Sequence, residues 1–201
     1  MGLLIDPFSF PDPELQQKPA GAGAKQAIVL GGGCFWCTEA VYKQLDGVIS
    51  VRPGYAGDSK ETADYQTVCS GGTNHAEVIE VVYDSSKLAL GQILKVFFSI
   101  AHDPTQKDRQ GNDVGRQYRS VIFYADEEQH KVAQAYIDQL TKLKAFDAPI
   151  VTELAPLMAF YEAEQYHHDY ASRNPNQPYI RAVSDPKVAK LKKVHTGLLK
   201  H

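Results

Sequence analysis

The stretch KQAIVLGGGCFWCTEAVYKQL, residues 25–45, runs from an apolar strand pattern through three glycines into a segment with helical spacing. We predict a strand over residues 25–30 and a helix over residues 34–45. Glycine tolerates positive φ angles and close backbone approach, so the chain can turn sharply between the two elements. The stretch therefore predicts a strand–turn–helix unit with Cys34 at the start of the helix.

Strand and helix patterns continue to alternate after this unit. Strands are predicted over residues 48–51, 77–83, 118–124 and 149–154, helices over residues 88–101 and 127–143, a Lys-rich helix at the C-terminus, and loops over residues 52–58, 58–74 and 103–115. We expect an α/β (α+β) fold, a two-layer sandwich in which helices pack on a mixed β-sheet with a ferredoxin-like core. Residues 1–24 contain four prolines and a run of small residues, which predicts an extended N-terminal arm, with residues 25–201 as a single catalytic domain.

The composition narrows the functional classes. The chain has 201 residues, 43% of them hydrophobic, which suits one domain with a substantial core. A net charge of −3 argues against nucleic-acid binding. No apolar run approaches the roughly 20 residues that span a membrane, and no signal peptide is recognisable. We expect a cytoplasmic monomer that binds neither nucleic acid nor membrane and needs no metal or cofactor.

Three cysteines, Cys34, Cys37 and Cys69, are too few for a disulfide framework and indicate reactive or buried thiols. Unpaired amides at a helix start stabilise a thiolate, so we expect the pKa of Cys34 to fall. Cys37 lies three residues later on the same face and could form a disulfide with Cys34. The CxxC spacing also fits half a zinc site or a buried structural pair. We expect Cys69 to be a buried structural thiol and the histidines to be structural.

The motifs around and after Cys34 together resemble those of one known protein family. The sequence Gly-Cys-Phe-Trp-Cys at residues 33–37 resembles the signature of the peptide methionine sulfoxide reductase A family, in a variant without a C-terminal resolving cysteine. VRPGYAG at residues 51–57, YQTVCSG at 65–71, HAE at 75–77, HDPT at 102–105, NDVGRQYRS at 112–120 and FYEAEQYH at 160–167 follow in the family's order. The resemblance covers roughly residues 28–170.

The resemblance implies roles for individual residues. Cys34 would attack the sulfoxide sulfur while Glu77 protonates its oxygen, and Tyr65 and Tyr118 would hold that oxygen. Asp113 would help to shape the substrate site. Glu77 begins an apolar strand where burial would raise its pKa, but the sequence alone favours a solvated carboxylate at the edge of a strand. The tyrosines could likewise be packing residues, and Asp113 could simply form a turn beside Gly115.

Phe35 and Trp36 flank the nucleophile and are expected to form a small apolar substrate pocket, although core packing would also explain them. The family activity would be reduction of methionine S-sulfoxide, in proteins and in free form. Cys34 would become a sulfenic acid, Cys37 would close a disulfide, and thioredoxin would reduce it. A tight disulfide within one helical turn would require that turn to unwind. The alternatives are a thioredoxin-like thiol–disulfide oxidoreductase and a non-catalytic binding module.

Overall fold

The computed structural model describes residues 2–201. The helices are α1 Phe35–Tyr42, α2 Tyr65–Cys69, α3 Leu90–Val96, α4 Glu127–Lys142, α5 Tyr170–Arg173 and α6 Asp185–Val194. The strands are β1 Lys25–Gly31, β2 Val48–Ala56, β3 Ala76–Asp84, β4 Arg109–Gln110, β5 Asp113–Val114, β6 Val121–Tyr124, β7 Glu153–Pro156 and β8 Tyr161–Glu162. Short π-helical turns follow α3 at Phe97–Ala101 and precede α6 at Ile180–Ser184.

The main sheet has the strand order β7-β6-β1-β3-β2-β8 and is mixed. Strands β6, β1, β3 and β2 are antiparallel neighbours, whereas β7 runs parallel to β6. The helix α1 connects β1 to β2, and α3 lies between β3 and β6 in the chain. This β-α-β-β-α-β order with the sheet order β6-β1-β3-β2 is the ferredoxin-like arrangement. The predicted mixed sheet and ferredoxin-like core are therefore confirmed.

Alternating side chains of the strands reach two apolar clusters on opposite faces of the sheet. On β1, Ile28 and Leu30 join the large core that includes the helices, whereas Val29 joins a smaller cluster on the other face. Protein thus covers both faces of the sheet, and most residues of the central strands are buried. The first turn of α4 is capped by the Asp126 carboxylate, which accepts from the backbone amide of Gln129 at 2.8 Å.

Strand β2 is longer than the sequence predicted. Residues 52–56, assigned to a loop because of Pro53 and Gly54, continue the strand to Ala56 and pair with β3 throughout. Pro53 is tolerated because β2 meets β8 only at Gly54 and Tyr55, so most of that edge has no strand neighbour. The other predicted elements are present with shifted ends, and the loop around Tyr65 contains α2 as expected.

Residues of the segment 2–24 pack against the helical layer. Phe10 is buried in the large core, and the Tyr136 hydroxyl of α4 donates to the carbonyl oxygen of Pro11 at 2.6 Å. The division into an arm and a catalytic domain stays a prediction. Among residues 2–201, no helix is both long and apolar enough to cross a membrane.

Candidate active site

The Cys34 thiol lies where β1 passes into α1. Gly33 has a φ of 86°, a conformation that a side chain would strain, and it turns the chain from the strand toward the helix. Cys34 itself is the cap residue, with a ψ of 125°, and α1 begins at Phe35. Its carbonyl oxygen accepts from the amides of Cys37 at 3.1 Å and Thr38 at 3.4 Å. The predicted helix-start thiol is confirmed, and the thiol is half-buried.

The predicted fall in the pKa of Cys34 is wrong for the substrate-free protein. Burial raises the pKa of the Cys34 thiol well above its usual range, and the thiol of Cys37 and the charge of Glu77 raise it further. A hydrogen bond from the backbone amide of Trp36 lowers this pKa, as expected for a helix start, but is outweighed. Cys34 is therefore a thiol at neutral pH until something offsets its surroundings.

Glu77 projects from β3 into the space beneath Cys34. Its side chain is only 2% exposed, and its Oε1 accepts from the backbone amide of Phe35 at 3.3 Å. Burial raises the pKa of Glu77 to about 8, against the opposing hydrogen bond from Phe35. The prediction of a buried carboxyl with a raised pKa is confirmed, and the solvated-edge alternative is wrong. A proton donor thus contacts the backbone of the residue that follows the candidate nucleophile.

Tyr65 and Tyr118 approach the same carboxyl from two other elements. Tyr65 begins α2, and the Tyr118 hydroxyl hydrogen-bonds to Glu77. Burial raises the pKa of both phenols, with the charge of Glu77 contributing in each case, so both remain hydroxyl donors. Cys69 hydrogen-bonds to Tyr65 and is half-buried, because α2 ends at the rim of the site. The prediction that Cys69 is a buried structural thiol is therefore wrong.

Cys37 is almost completely buried, at 1% exposure, in the first turn of α1. Its thiol donates to the hydroxyl of Tyr179 at 3.9 Å, and that hydroxyl donates to the Asp113 carboxylate in a short hydrogen bond. The sequence did not indicate Tyr179, which comes from the Pro-rich segment before α6. Asp113, predicted as a site residue, thus reaches the second cysteine through a tyrosine.

The two predicted pocket aromatics have different surroundings. Phe35 has no exposed surface and packs on His167, with ring centroids 4.9 Å apart. Trp36 is half-buried, stacks on Tyr170 at 3.8 Å, and donates from Nε1 to Nδ1 of His167 at 3.0 Å. The core-packing alternative holds for Phe35 in this structure, whereas Trp36 is a partly exposed ring held from two sides.

Two further residues, Glu164 and His167, contact the site residues and hold them in position. The Glu164 carboxylate accepts from the Tyr55 hydroxyl at 2.9 Å and from the backbone amide of Tyr65 at 3.2 Å, which anchors α2 to the chain segment after β8. Its Oε2 also lies 3.9 Å from Nε2 of His167. Glu164 and His167 lie in the family motif at residues 160–167, but the sequence analysis gave neither residue a role in the site.

A cavity of about 620 Å³ opens beside the nucleophile. Its lining includes Cys34, Asp103, Asp113, Tyr179 and Lys187. The Cys34 thiol and the Asp113 carboxylate therefore line the same cavity. Within residues 2–201, no group of three or more His, Cys, Asp or Glu side chains is arranged to hold a metal ion.

Comparisons with known proteins agree with this geometry. The family model of peptide methionine sulfoxide reductase matches residues 26–198. The chain is 48% identical over 202 residues to peptide methionine sulfoxide reductase MsrA 2 of Synechocystis sp., covering 98% of this chain and 94% of that protein. It is 50% identical over 175 residues to the MsrA of Saccharolobus solfataricus, covering 87% of this chain and 97% of that protein.

Solved structures give the same assignment. Reduced Mxr1 of Saccharomyces cerevisiae has a TM-score of 0.70 at 33% identity, covering 84% of this chain and 94% of that one. Methionine sulfoxide reductase A of Corynebacterium diphtheriae has a TM-score of 0.64 at 32% identity, covering 83% of this chain and 87% of that one. Sequence, fold and site geometry agree, and the chain belongs to the peptide methionine sulfoxide reductase family.

Proposed function

We propose that this oxidoreductase reduces methionine S-sulfoxide to methionine, in proteins and as the free amino acid, with Cys34 as the nucleophile. The observation that carries the proposal is the buried Glu77 carboxyl, hydrogen-bonded to the amide next to Cys34 and accompanied by the hydroxyls of Tyr65 and Tyr118. Reduction of a sulfoxide requires a proton at its oxygen, and these groups can supply and position one. The family relationship supports methionine sulfoxide as the substrate.

In the free protein near pH 7 both the Cys34 thiol and Glu77 hold a proton. The first step needs a Cys34 thiolate beside neutral Glu77, so the Cys34 proton leaves to solvent when the substrate is bound. The sulfoxide oxygen accepts a hydrogen bond from Glu77, which keeps that carboxyl neutral while the thiolate forms. The thiolate then attacks the sulfoxide sulfur as Glu77 protonates the oxygen. Methionine leaves, and the Cys34 thiol is oxidised to a sulfenic acid.

We assign the apolar surface of Trp36 to binding of the methyl group and side chain of the substrate. The buried ring of Phe35 would form the base of this pocket. The ring of Trp36 is fixed by the stack on Tyr170 and by the hydrogen bond to His167. Such fixation favours one orientation of the sulfoxide relative to Cys34. Selectivity for one epimer would follow, because only one places the oxygen toward Glu77.

In the second step, Cys37 attacks the sulfur of the Cys34 sulfenic acid and water leaves. Cys37 is the nearer thiol in the chain, and Cys34 lies at the cap of α1 with a non-helical ψ, so bridging requires only the first turn to adjust. An external dithiol such as thioredoxin then reduces the disulfide by exchange. We further propose that the protein works in the cytoplasm, which its small number of cysteines favours, and that it acts as a monomer.

The test is turnover of each sulfoxide epimer by the wild type, by Cys34→Ser and by Cys37→Ser, with Cys69→Ser as a matched thiol control. We expect activity on the S epimer, no activity in Cys34→Ser, and one equivalent of methionine with a trapped sulfenic acid in Cys37→Ser. Equal use of both epimers, or turnover by Cys34→Ser, would overturn the proposal. A Cys34–Cys69 bridge found by mass spectrometry would remove Cys37 from the resolving role.

A thiol–disulfide oxidoreductase would use the same two cysteines without an acid or the tyrosines. Insulin disulfide reduction separates this alternative from sulfoxide reduction. We expect Glu77→Gln to depress sulfoxide reduction and to leave any insulin reduction intact. Efficient insulin reduction without methionine formation would support the alternative instead.

A further inference from the structure

Disulfide formation leaves a proton without an obvious acceptor. When the Cys37 sulfur attacks, its own proton must leave, but the Cys37 side chain is 1% exposed and has little access to bulk water. Glu77 is occupied on the oxygen side of Cys34. The acceptor must therefore be a group that already touches the Cys37 thiol.

Tyr179 is that group. Its hydroxyl accepts from Cys37 Sγ at 3.9 Å and donates to Asp113 Oδ2. Its ring stands edge-on to Trp36, with centroids 6.1 Å apart and planes at 80°, which fixes the direction of the hydroxyl. The three side chains come from α1, β5 and the turn before α6, so only the fold brings them together.

We propose that Tyr179 and Asp113 form a proton relay that activates Cys37 for disulfide formation, an inference that rests on the proposed function. The Cys37–Cys34 sulfur bond forms and the sulfur–oxygen bond of the sulfenic acid breaks. The Cys37 proton passes to the Tyr179 oxygen while the Tyr179 proton passes to Asp113. Glu77, which regains a proton from solvent after methionine is released, protonates the leaving oxygen, which departs as water. Cys37 is oxidised, and the Cys34 sulfenic acid is reduced.

The surroundings favour a concerted transfer. Burial raises the pKa of Tyr179 far above its usual range, so a free tyrosinate is not a stable intermediate and the two protons move together. The Cys34 side chain lowers the pKa of the Cys37 thiol, and the charge of Lys187 and the Tyr179 hydrogen bond lower it further. Asp113 lines the 620 Å³ cavity, through which it can release the proton to solvent.

Other charged or titratable groups face this relay from every side. They are Cys34 and Glu77 across the site, Tyr118 before β6, His102 and Asp103 in the cavity wall, and Lys187 on α6. The Lys187 ammonium donates to the carbonyl oxygen of Ala101 at 2.9 Å, which holds its charge in place. Glu77 is committed to the Phe35 amide, which leaves Asp113 as the carboxylate in hydrogen-bond contact with Tyr179.

The test separates the two chemical steps in a single turnover of methionine S-sulfoxide without reductant. Rapid quench measures methionine release, and mass spectrometry after alkylation measures the disulfide. The variants are Tyr179→Phe, which breaks the relay, and Asp113→Asn, which keeps an acceptor for the Tyr179 hydroxyl but cannot take its proton. Tyr124→Phe is the control, because Tyr124 stacks on His130 at the end of β6, away from the site.

We expect Tyr179→Phe to release one equivalent of methionine. In both variants, the disulfide should form about 100-fold more slowly than in the wild type, timed from the release of methionine, with the sulfenic acid trapped by dimedone. Tyr124→Phe should match the wild type. The pH profile distinguishes a relay from a structural role. The wild-type disulfide step should vary little between pH 6 and 8, whereas in the variants it should rise about tenfold per pH unit, because hydroxide must then take the proton.

Wild-type disulfide rates in both variants would overturn the relay, and so would slow rates with an unaltered pH profile, which would indicate lost packing. Neither result would affect methionine release, so the proposed function would stand. An absence of methionine in the wild type would instead refute the proposed function itself. Recovery of Tyr179→Phe at high pH supports the relay, because a misfolded protein would not recover.

Discussion

Replacing Glu77 with glutamine should stabilise the protein relative to the wild type, by an amount that grows as the pH rises. The same substitution should abolish most of the activity. The folded chain raises the pKa of Glu77 from 4.5 to about 8 through burial. Between these values the folded state holds a proton that the unfolded state has released, so the free energy of unfolding falls with rising pH. Full stability is present below pH 4.5 and is lost as the pH rises through 8.

The size of the effect follows from the same pKa. The complete difference corresponds to about 5 kcal/mol, since one pKa unit is about 1.4 kcal/mol. Between pH 5 and pH 7.5 the loss is about 3 kcal/mol. Glu77→Gln removes the titration but keeps a polar group that can accept from the Phe35 amide. The free energy of unfolding of the variant minus that of the wild type should therefore increase by about 3 kcal/mol between pH 5 and pH 7.5.

Urea denaturation of both proteins at pH 5, 6, 7 and 7.5 measures the difference. All other titrating groups are common to the two proteins and cancel. Methionine release by Glu77→Gln at pH 7 should fall by about 10²- to 10⁴-fold, because the acid is lost. A difference in unfolding free energy that stays constant with pH would refute the buried, protonated Glu77. Unchanged methionine release would refute its role as the acid.

Four further substitutions test the site and its support. Trp36→Ala should raise KM for methionine sulfoxide about tenfold through lost apolar contact, measured by steady-state kinetics, and an unchanged KM would place the substrate elsewhere. Tyr65→Phe and Tyr118→Phe should each slow methionine release about tenfold by removing a hydrogen bond, and an effect confined to KM would contradict a role in the transition state. Gly54→Ala should lower the free energy of unfolding by about 1–3 kcal/mol, since its Cβ would lie 2.4 Å from the Phe160 ring, and an unchanged urea midpoint would contradict the packing of β8 on β2.

The alternation of strands and helices was enough to predict the sheet and the helical layer, because each pattern depends on residues close in sequence. The end of β2 was not predictable in this way. Gly54 lies opposite Glu162 of β8, with its Cα facing the Phe160 ring and the carbonyl oxygen of Tyr161. A glycine required for close packing between distant segments has the same local pattern as a glycine in a turn.

The candidate site was predictable where the motifs carried it and not where the fold assembled it. Cys34, Glu77 and Tyr118 lie in motifs of the family and come together as expected. Tyr179 lies 66 residues from Asp113, and Glu164 lies 99 residues from Tyr65. Glu164 belongs to a family motif, but no periodic or spaced pattern points from either residue to its partner. Contacts of this kind depend on the three-dimensional arrangement of α6 and β8, which the sequence pattern does not specify.

The pKa of Cys34 shows most clearly why local and tertiary effects must be weighed together. The helix start stabilises a thiolate through the Trp36 amide, as the sequence predicted, but burial and the charge of Glu77 oppose it and prevail. We therefore expect the thiol to be a weak nucleophile in the free protein and to react slowly with peroxides and other oxidants. In the mechanism that we propose, the sulfoxide oxygen accepts a hydrogen bond from neutral Glu77, which keeps this carboxyl uncharged while the Cys34 thiolate forms. Substrate binding would then favour the reactive thiolate, and the same buried carboxyl would supply the proton for the sulfoxide oxygen.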